Sequence, residues 1–186
     1  MRRVTATLES IGAYQQSKHH ETPIPKKKNR DDHERDTWRE RCHYLSDGTI
    51  FIPAIQFRNS LSGIAQYLGE KIQGKGSHTW SKHFLSGIRV ATDLVLPVKK
   101  DEVECFPQFC NSKGNRGQPG SKVKKYFPLI RKWKGDVEYV LLDDLISEEI
   151  FERYLREAGA LIGIGKERPQ LGGDFGRYQV MKLVWA

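Results

Sequence analysis

Alternating apolar and polar residues predict strands at the two ends of the chain. In residues 2–8 one side carries Val4, Ala6 and Leu8 and the other carries threonines, which is typical of a half-buried strand. Residues 178–185 have a comparable pattern and predict the last strand. Two further apolar stretches, 87–98 and 137–142, predict the second and third core strands.

Two segments have the spacing of helices. The first follows Pro53, and Gly69 is placed to end it. Its predicted buried face consists of Phe57, Leu61, Ile64, Ala65 and Leu68. The second follows Asp143 and Asp144, with Gly159 as its expected C-terminal cap. Its predicted buried face consists of Ile146, Ile150, Tyr154, Leu155 and Ala158.

The order of elements is therefore β-α-β-β-α-β, which predicts an α+β, ferredoxin-like (RRM-like) fold. We expect a four-stranded sheet with two helices on one face. Residues 1–186 would form a single domain with long polar or basic insertions at about 13–45 and 99–135. A short hairpin is expected at 43–52, turning at 46–48.

Composition excludes several classes of protein. No apolar run approaches the roughly 20 residues of a membrane span, and no apolar stretch near Met1 has the length of a secretion signal. Three scattered cysteines do not make a disulfide framework, and a zinc site at Cys42 and His43 is disfavoured. We therefore expect a soluble, cytoplasmic protein without cofactor, metal or membrane association.

The charge is unevenly distributed along the chain. The net charge is +8, from 31 basic and 23 acidic residues. Residues 111–135 contain eight lysines and arginines and no acid, so the rest of the chain sums to about zero. Such a stretch is typical of a polyanion-binding loop, with a solvated basic loop as the alternative.

A glycine-rich stretch lies between the second helix and the last strand. Five glycines occur within 163–176, interleaved with Lys166, Arg168 and Phe175 and followed by Arg177. Bare amides, cations and aromatic rings together suit a phosphodiester chain with exposed bases. A dinucleotide-binding glycine motif would follow a first strand and precede a helix. Here the glycines follow a helix and precede a strand, so we set that interpretation aside.

Three stretches resemble the RAMP superfamily of CRISPR effector proteins, particularly backbone subunits that polymerise along a guide RNA. They are the glycine loop 163–178, the helix start 52–61, and the first strand running into the polar segment 12–18. The chain is short for such a subunit, so a small viral or stand-alone member is equally compatible. The resemblance implies RNA as partner, self-association along the strand, and contacts with other effector subunits.

We expect lysines, arginines, glycines and aromatic residues of these segments to contact nucleic acid. The candidates are Lys18, Lys26, Lys27, Lys28, Arg58, Lys75, Trp80, Lys82, Arg116, Lys122, Lys124, Lys125, Gly165, Arg168, Gly173, Phe175 and Arg177. A lone cation in this set has a solvated surface charge as its alternative role. The sequence does not separate RNA from single-stranded DNA.

Two alternatives to simple binding remain open. One is a metal-independent endoribonuclease, because some RAMP proteins cleave RNA; its candidate bases are His19, His20 and His83. The other is an accessory or viral protein that docks on a CRISPR effector complex. Trp38, in a highly charged stretch, is expected to be an anchor or a contact between subunits.

Overall fold

A computed structural model describes residues 1–111 and 121–186 of the chain. The strands are Arg2–Ser10 (β1), Tyr14–Gln15 (β2), Thr49–Ile52 (β3), Ile88–Val90 (β4), Leu94–Lys99 (β5), Glu104–Asn111 (β6), Lys122–Ile130 (β7), Lys134–Leu141 (β8) and Tyr178–Trp185 (β9). The helices are Arg30–Thr37 (α1), Ala54–Leu68 (α2), Trp80–Ser86 (α3) and Glu148–Glu157 (α4).

The main sheet has four strands in the order β4-β8-β1-β9, and every neighbouring pair is antiparallel. The alternation predicted for β1 is confirmed, because Val4, Ala6 and Leu8 are all buried. A central strand that alternates in this way buries only one of its faces.

Helices α2 and α4 pack against the buried face of this sheet. Phe57 of α2 makes an edge-on contact with Tyr178 of β9, with ring centroids 6.1 Å apart. Phe151 of α4 contacts Tyr139 of β8 in the same way at 5.3 Å. The predicted end of α2 is confirmed, since Gly69 adopts a left-handed conformation with φ of 57°.

The end of the second helix differs from the prediction. Helix α4 begins at Glu148 and is capped by Ser147, whose side chain accepts a hydrogen bond from the amide of Ile150. Asp143 and Asp144 lie further upstream and do not cap it. The chain then continues through Gly159 as one turn of π-helix and ends at Gly163. Gly159 is therefore not a cap: a Cβ there would lie 2.1 Å from the carbonyl oxygen of Tyr178, so glycine lets the helix touch β9.

The stretch 87–98 forms two strands and not one. β4 belongs to the main sheet, whereas β5 pairs with β3 in a separate two-stranded sheet. Asp93, in the turn between them, accepts a hydrogen bond from the amide of Ala54 at 2.7 Å and so caps α2. The predicted hairpin is present, with a bridge between Tyr44 and Ile50 and a turn closed at Gly48.

Both insertions contain secondary structure that the sequence did not predict. The first holds β2, α1 and a 3₁₀ turn at Trp38–Arg41. Trp38 is buried, which confirms its role as an anchor, and Arg39 stacks on its ring. In the second, β6 and β7 pair along eight residues and join β2 in a three-stranded sheet of order β2-β7-β6. Part of the expected basic loop is thus strand, since β7 runs over Lys122–Ile130 and pairs with β6, whereas residues 112–120 lie outside the described part of the chain.

Replacing Gly159 by alanine should destabilise the protein. The new methyl group would push into β9 and the ring of Tyr178, and overpacking of this kind costs about 1–3 kcal/mol. Urea denaturation of Gly159→Ala measures the change. Gly12→Ala is the matched control, because its Cβ would meet only the carbonyl oxygen of Asp174, at 3.9 Å. Equal stability of the two variants would contradict the tight contact.

Candidate nucleic-acid interface

The glycine loop, residues 163–177, is fixed to the connection between β1 and β2 by backbone hydrogen bonds. The amide of Gly176 donates to the carbonyl of Ala13 at 2.7 Å, and the amide of Lys166 donates to that of Gln15 at 2.9 Å. Across the loop itself, the amide of Ile164 donates to the carbonyl of Gly176 at 2.9 Å. The loop is therefore held against the segment that follows β1.

The glycines of this loop make room for protein backbone. Gly165 has φ of 77°, and a Cβ there would lie 2.5 Å from both the carbonyl of Gln15 and the ring of Tyr14. A Cβ at Gly173 would lie 1.9 Å from the carbonyl oxygen of Glu167. These positions require glycine because the chain crosses itself, whatever ligand the loop meets.

A cleft of about 330 Å³ lies between the glycine loop, the start of α2 and the turn before β3. Its walls carry mostly polar side chains. They include Ser17, His43, Gln56, Asn59, Lys166 and Arg168. The helix start singled out in the sequence thus does face the loop, through Gln56 and Asn59.

A wider groove of about 830 Å³ continues from this cleft to the β6–β7 hairpin. Ser17, Lys166 and Leu171 line both cavities, so the two are adjacent, and together they are here called the groove. The hairpin contributes Gln108 and Lys125 among other residues. A ligand lying in the groove would touch the glycine loop on one side and β6–β7 on the other.

Cations of the groove are held by neighbouring groups. Lys166 lies 2.7 Å from the carboxylate of Glu167, with its Nζ 4.6 Å from the centre of the Phe127 ring. Arg168 donates from Nη1 to the carbonyl of Gly165 at 3.0 Å and from Nε to Gln170 at 3.1 Å. Burial lowers the pKa of Arg168, although a guanidinium keeps its charge.

His43 is the histidine that lines the groove within the described part of the chain. Burial lowers the pKa of its imidazole, and the nearby charge of Lys18 lowers it further. Its amide donates to Oε1 of Gln16 at 2.6 Å, and the Nε2 of Gln16 donates to the carbonyl of Phe51. The lowered pKa favours the neutral imidazole, and Gln16 holds the backbone of His43 beside Phe51.

The structure brings only part of the predicted set to the groove. Gly165, Arg168 and Lys125 line it. Gly173 and Phe175 line an adjoining hollow of about 450 Å³, where Phe175 packs edge-on against Phe106. Lys122 and Lys124 lie on the hairpin itself, where their register partners are Asn111 and Phe109. Arg116 lies outside the described residues.

Other predicted cations lie away from the groove. Arg58 donates to the carbonyl of Leu85 at 2.9 Å and lines a separate cavity beside Arg89. Lys75 and Lys82 are exposed on either side of the start of α3. Arg177 bonds to the carbonyl of Ala160 and lies 3.4 Å from Asp174.

The remaining members of the set lie near α1, near Tyr44 or in the core. Lys28 forms an ion pair with Asp36 of α1, while Lys26 and Lys27 are exposed just before this helix. Lys18 lies over the ring of Tyr44 at 5.2 Å. Trp80 is only 8% exposed, packed against His83 and Phe84, so its ring faces the protein interior.

None of the three candidate histidines lines the groove described here. His19 is exposed, and His20 lies 3.0 Å from the hydroxyl of Thr22. His83 pairs with Asp143 at 2.6 Å between α3 and the end of β8.

Several groove residues were not among the nucleic-acid-binding candidates chosen from the sequence. They are Arg41, His43, Gln56, Asn59, Gln108, Lys166 and Gln170. Lys166 could have been included, because it lies inside the glycine loop between Gly165 and Arg168. Gln56 and Asn59 carry a weaker signal: polar residues three apart in the first turns of an otherwise apolar helix.

The open face of the main sheet lacks the features of an RNA-stacking surface. Among the described residues it carries four cations, Arg3, Arg89, Lys134 and Lys182, and three acids, Glu9, Asp136 and Glu138, but no aromatic ring. Arg3 and Glu138 form an ion pair at 2.8 Å. The charges of this face nearly balance, and its described residues offer no rings for bases.

The described residues contain no cluster of metal-ligating side chains and no helix that could cross a bilayer. No protein-family model matches the sequence, and a search of curated proteins gives no match.

The fold is similar to those of solved CRISPR proteins. A chain in the cryo-EM structure of the type III-B Cmr-β complex bound to cognate target RNA matches with a TM-score of 0.53 at 10% identity. The match covers 99% of this chain and 60% of that one. Cmr6 from Pyrococcus furiosus matches with a TM-score of 0.51 at 12% identity, over 96% of this chain and 97% of Cmr6. At these identities the likeness is one of fold.

The imidazole of His43 should titrate below the ordinary value of 6.5. Replacing Lys18 by glutamine should raise the pKa of His43, because a nearby positive charge that opposes protonation is removed. NMR titration of the histidine side chains measures both effects. Lys75→Gln is the control, since Lys75 is not among the groups that shift His43. A pKa of His43 above 6.5 would contradict the buried placement of the ring.

Proposed function

We propose that the protein binds single-stranded nucleic acid, and RNA foremost, in the groove between the glycine loop and the β6–β7 hairpin. The observation that carries this proposal is the lining of the groove. Lys125, Lys166 and Arg168 supply positive charge, and the one acid there, Glu167, is paired with Lys166. Carboxamide side chains alternate with these cations, as expected of a surface that meets both phosphates and bases.

An exposed aromatic side chain beside the groove also supports the proposal. Phe109 is 68% exposed on β6, next to Lys124 in the strand register. Lys124 lies 5.5 Å from the centre of the ring of Tyr126. An exposed ring among lysines is a stacking position for a base, worth about 1–3 kcal/mol per base.

The proposal treats the main sheet as a ferredoxin-like unit enlarged by two insertions within one domain. The chain runs β1-α2-β4-β8-α4-β9, and the sheet order is β4-β8-β1-β9 with antiparallel neighbours. Both orders agree with a β-α-β-β-α-β unit. In this arrangement the glycine loop is the connection between the second helix and the fourth strand, and the hairpin is an insertion before the third strand.

The comparisons support RNA as the ligand and a CRISPR effector as the setting. The Cmr-β structure is one of a complex bound to target RNA, and the second similar fold is a Cmr protein. We therefore place the protein among the RNA-contacting subunits of such a complex, with self-association along the strand as a further part of the proposal. A stand-alone or viral protein of the same fold would use the same groove.

Replacing Lys125 and Lys166 together by glutamine should weaken binding of a 20-nucleotide RNA about tenfold. The slope of log affinity against log salt should fall by about 1.4, since each single-strand phosphate contact contributes about 0.7. Fluorescence anisotropy at several salt concentrations measures both. The control is Lys75→Gln with Lys82→Gln, which removes equal charge on the α3 side of the protein.

Three results would count against the proposal. They are undiminished binding by the groove variant, a larger loss in the control, and failure of the unaltered protein to bind any single strand at low salt. Purification without nuclease, followed by RNase and DNase digestion of the co-purifying strand, separates RNA from single-stranded DNA.

Metal-independent RNA cleavage is a second candidate, favoured by one observation: His43 lines the groove with Lys166 and Arg168. A neutral imidazole can accept the proton of a 2′-hydroxyl that attacks the adjoining phosphorus, and the bond from phosphorus to the 5′-oxygen breaks to leave a 2′,3′-cyclic phosphate. The departing 5′-oxygen takes a proton from water, and the two cations can stabilise the charge that develops. Labelled RNA incubated with chelator should then be cut, and His43→Gln should abolish the cutting while leaving binding intact. An uncut strand that stays bound would remove this candidate alone.

A further inference from the structure

The guanidinium of Arg168, on the loop side of the cleft, is held by acceptors of the protein itself. The Oε1 of Gln170 accepts from Nε of Arg168 at 3.1 Å. The carbonyl of Gly165 accepts from Nη1 of the same residue at 3.0 Å. Arg168 is thereby fixed in orientation, and the described residues supply no partner for its Nη2.

The wall opposite has a similar arrangement. The hydroxyl of the buried Tyr14 donates to Oε1 of Gln56 at 2.9 Å. Burial raises the pKa of Tyr14 far above its ordinary range, so the hydroxyl keeps its proton and remains a donor. The carboxamide of Gln56 is therefore turned so that its NH₂ group is the part left for a ligand.

These donors face a space of limited size. The cleft has a volume of about 330 Å³, and Lys166 stands where it opens into the wider groove. Under the proposed function, phosphates lie in the wider groove, which Lys125 of β7 and Lys166 line. A carboxamide and a fixed guanidinium across a narrow cleft are instead the side chains that proteins use against base edges.

We infer that this cleft holds one nucleobase and selects guanine, with the guanidinium of Arg168 against the O6 and N7 acceptors. Guanine presents these two acceptors side by side without an intervening donor, whereas adenine places an amino group beside N7. Each terminal nitrogen of arginine carries two hydrogens, so Nη1 keeps one N–H for a ligand beside those of Nη2, and this end of the guanidinium can meet both acceptors. The inference rests on the proposed function, because the base arrives as part of a strand lying in the groove.

The test uses hexanucleotides of cytidine that carry one adenosine, uridine, guanosine or 7-deazaguanosine in the middle. Anisotropy with the full chain should give about tenfold tighter binding of the guanosine strand than of the adenosine strand. The 7-deaza base lacks the N7 acceptor and should lose most of that advantage. Arg168→Lys should bind all four strands within about twofold of one another, since it keeps the charge but loses the fork.

Arg177→Lys is the matched control. It alters an arginine of the same loop that bonds to the carbonyl of Ala160 and does not line the cleft, so the preference for guanosine should persist. Thermal melting of both variants checks that they are folded.

The outcomes separate the inference from the proposed function. Tight but equal binding of all four strands would overturn the guanine site and leave the nucleic-acid groove in place. A guanosine preference that persists in Arg168→Lys, or that ignores loss of N7, would also overturn it. Absence of binding to every strand, and to longer RNA, would overturn both.

Discussion

The structure depends on the crossing between the glycine loop and residues 13–15, which follow β1. Backbone amides of Lys166 and Gly176 bond to the carbonyls of Gln15 and Ala13, and the chains approach so closely that side chains would collide. This crossing ties the last helix, the first strand and the short strand β2 to one another. Since β2 pairs with β7, it also fixes the distance between the loop and the hairpin, and so the width of the groove.

The groove combines two kinds of surface that the fold brings together from distant parts of the chain. The main sheet and its helices supply a rigid wall at α2, and the insertions supply the opposite wall, with Lys125 and Phe127. The charges of the sheet's open face nearly balance, with Arg3 paired to Glu138 and Thr7 hydrogen-bonded to Asp136. Positive charge is thus concentrated where the insertions meet the loop, which favours binding at the insertions over binding on the sheet.

The parts of the fold with a regular apolar period could be predicted from the sequence: β1, α2, α4, β8 and β9. The rest could not, for identifiable reasons. Helix α1 has no apolar stripe and is recognisable only by its cap, since Asn29 accepts a hydrogen bond from the amide of Asp32. In the hairpin, β7 carries several lysines, and these conceal the alternation of apolar and polar residues along the strand. Arg41 and His43 reach the groove only through contacts that bring distant segments together, and no local pattern predicts those.

The position of β1 in the middle of the sheet has a consequence for how the chain folds. Its two neighbours are β8 and β9, so Thr7 bonds to Asp136 and Glu9 to Gln179, 129 and 170 residues away in the chain. A strand whose partners are both so remote gains its pairing only after long loops have closed, which slows folding. During synthesis, β1 emerges before both of its partners and stays unpaired until β8 and then β9 have been made. Its alternating apolar side chains are exposed for that whole interval, which makes this segment the most vulnerable to aggregation before the sheet is complete.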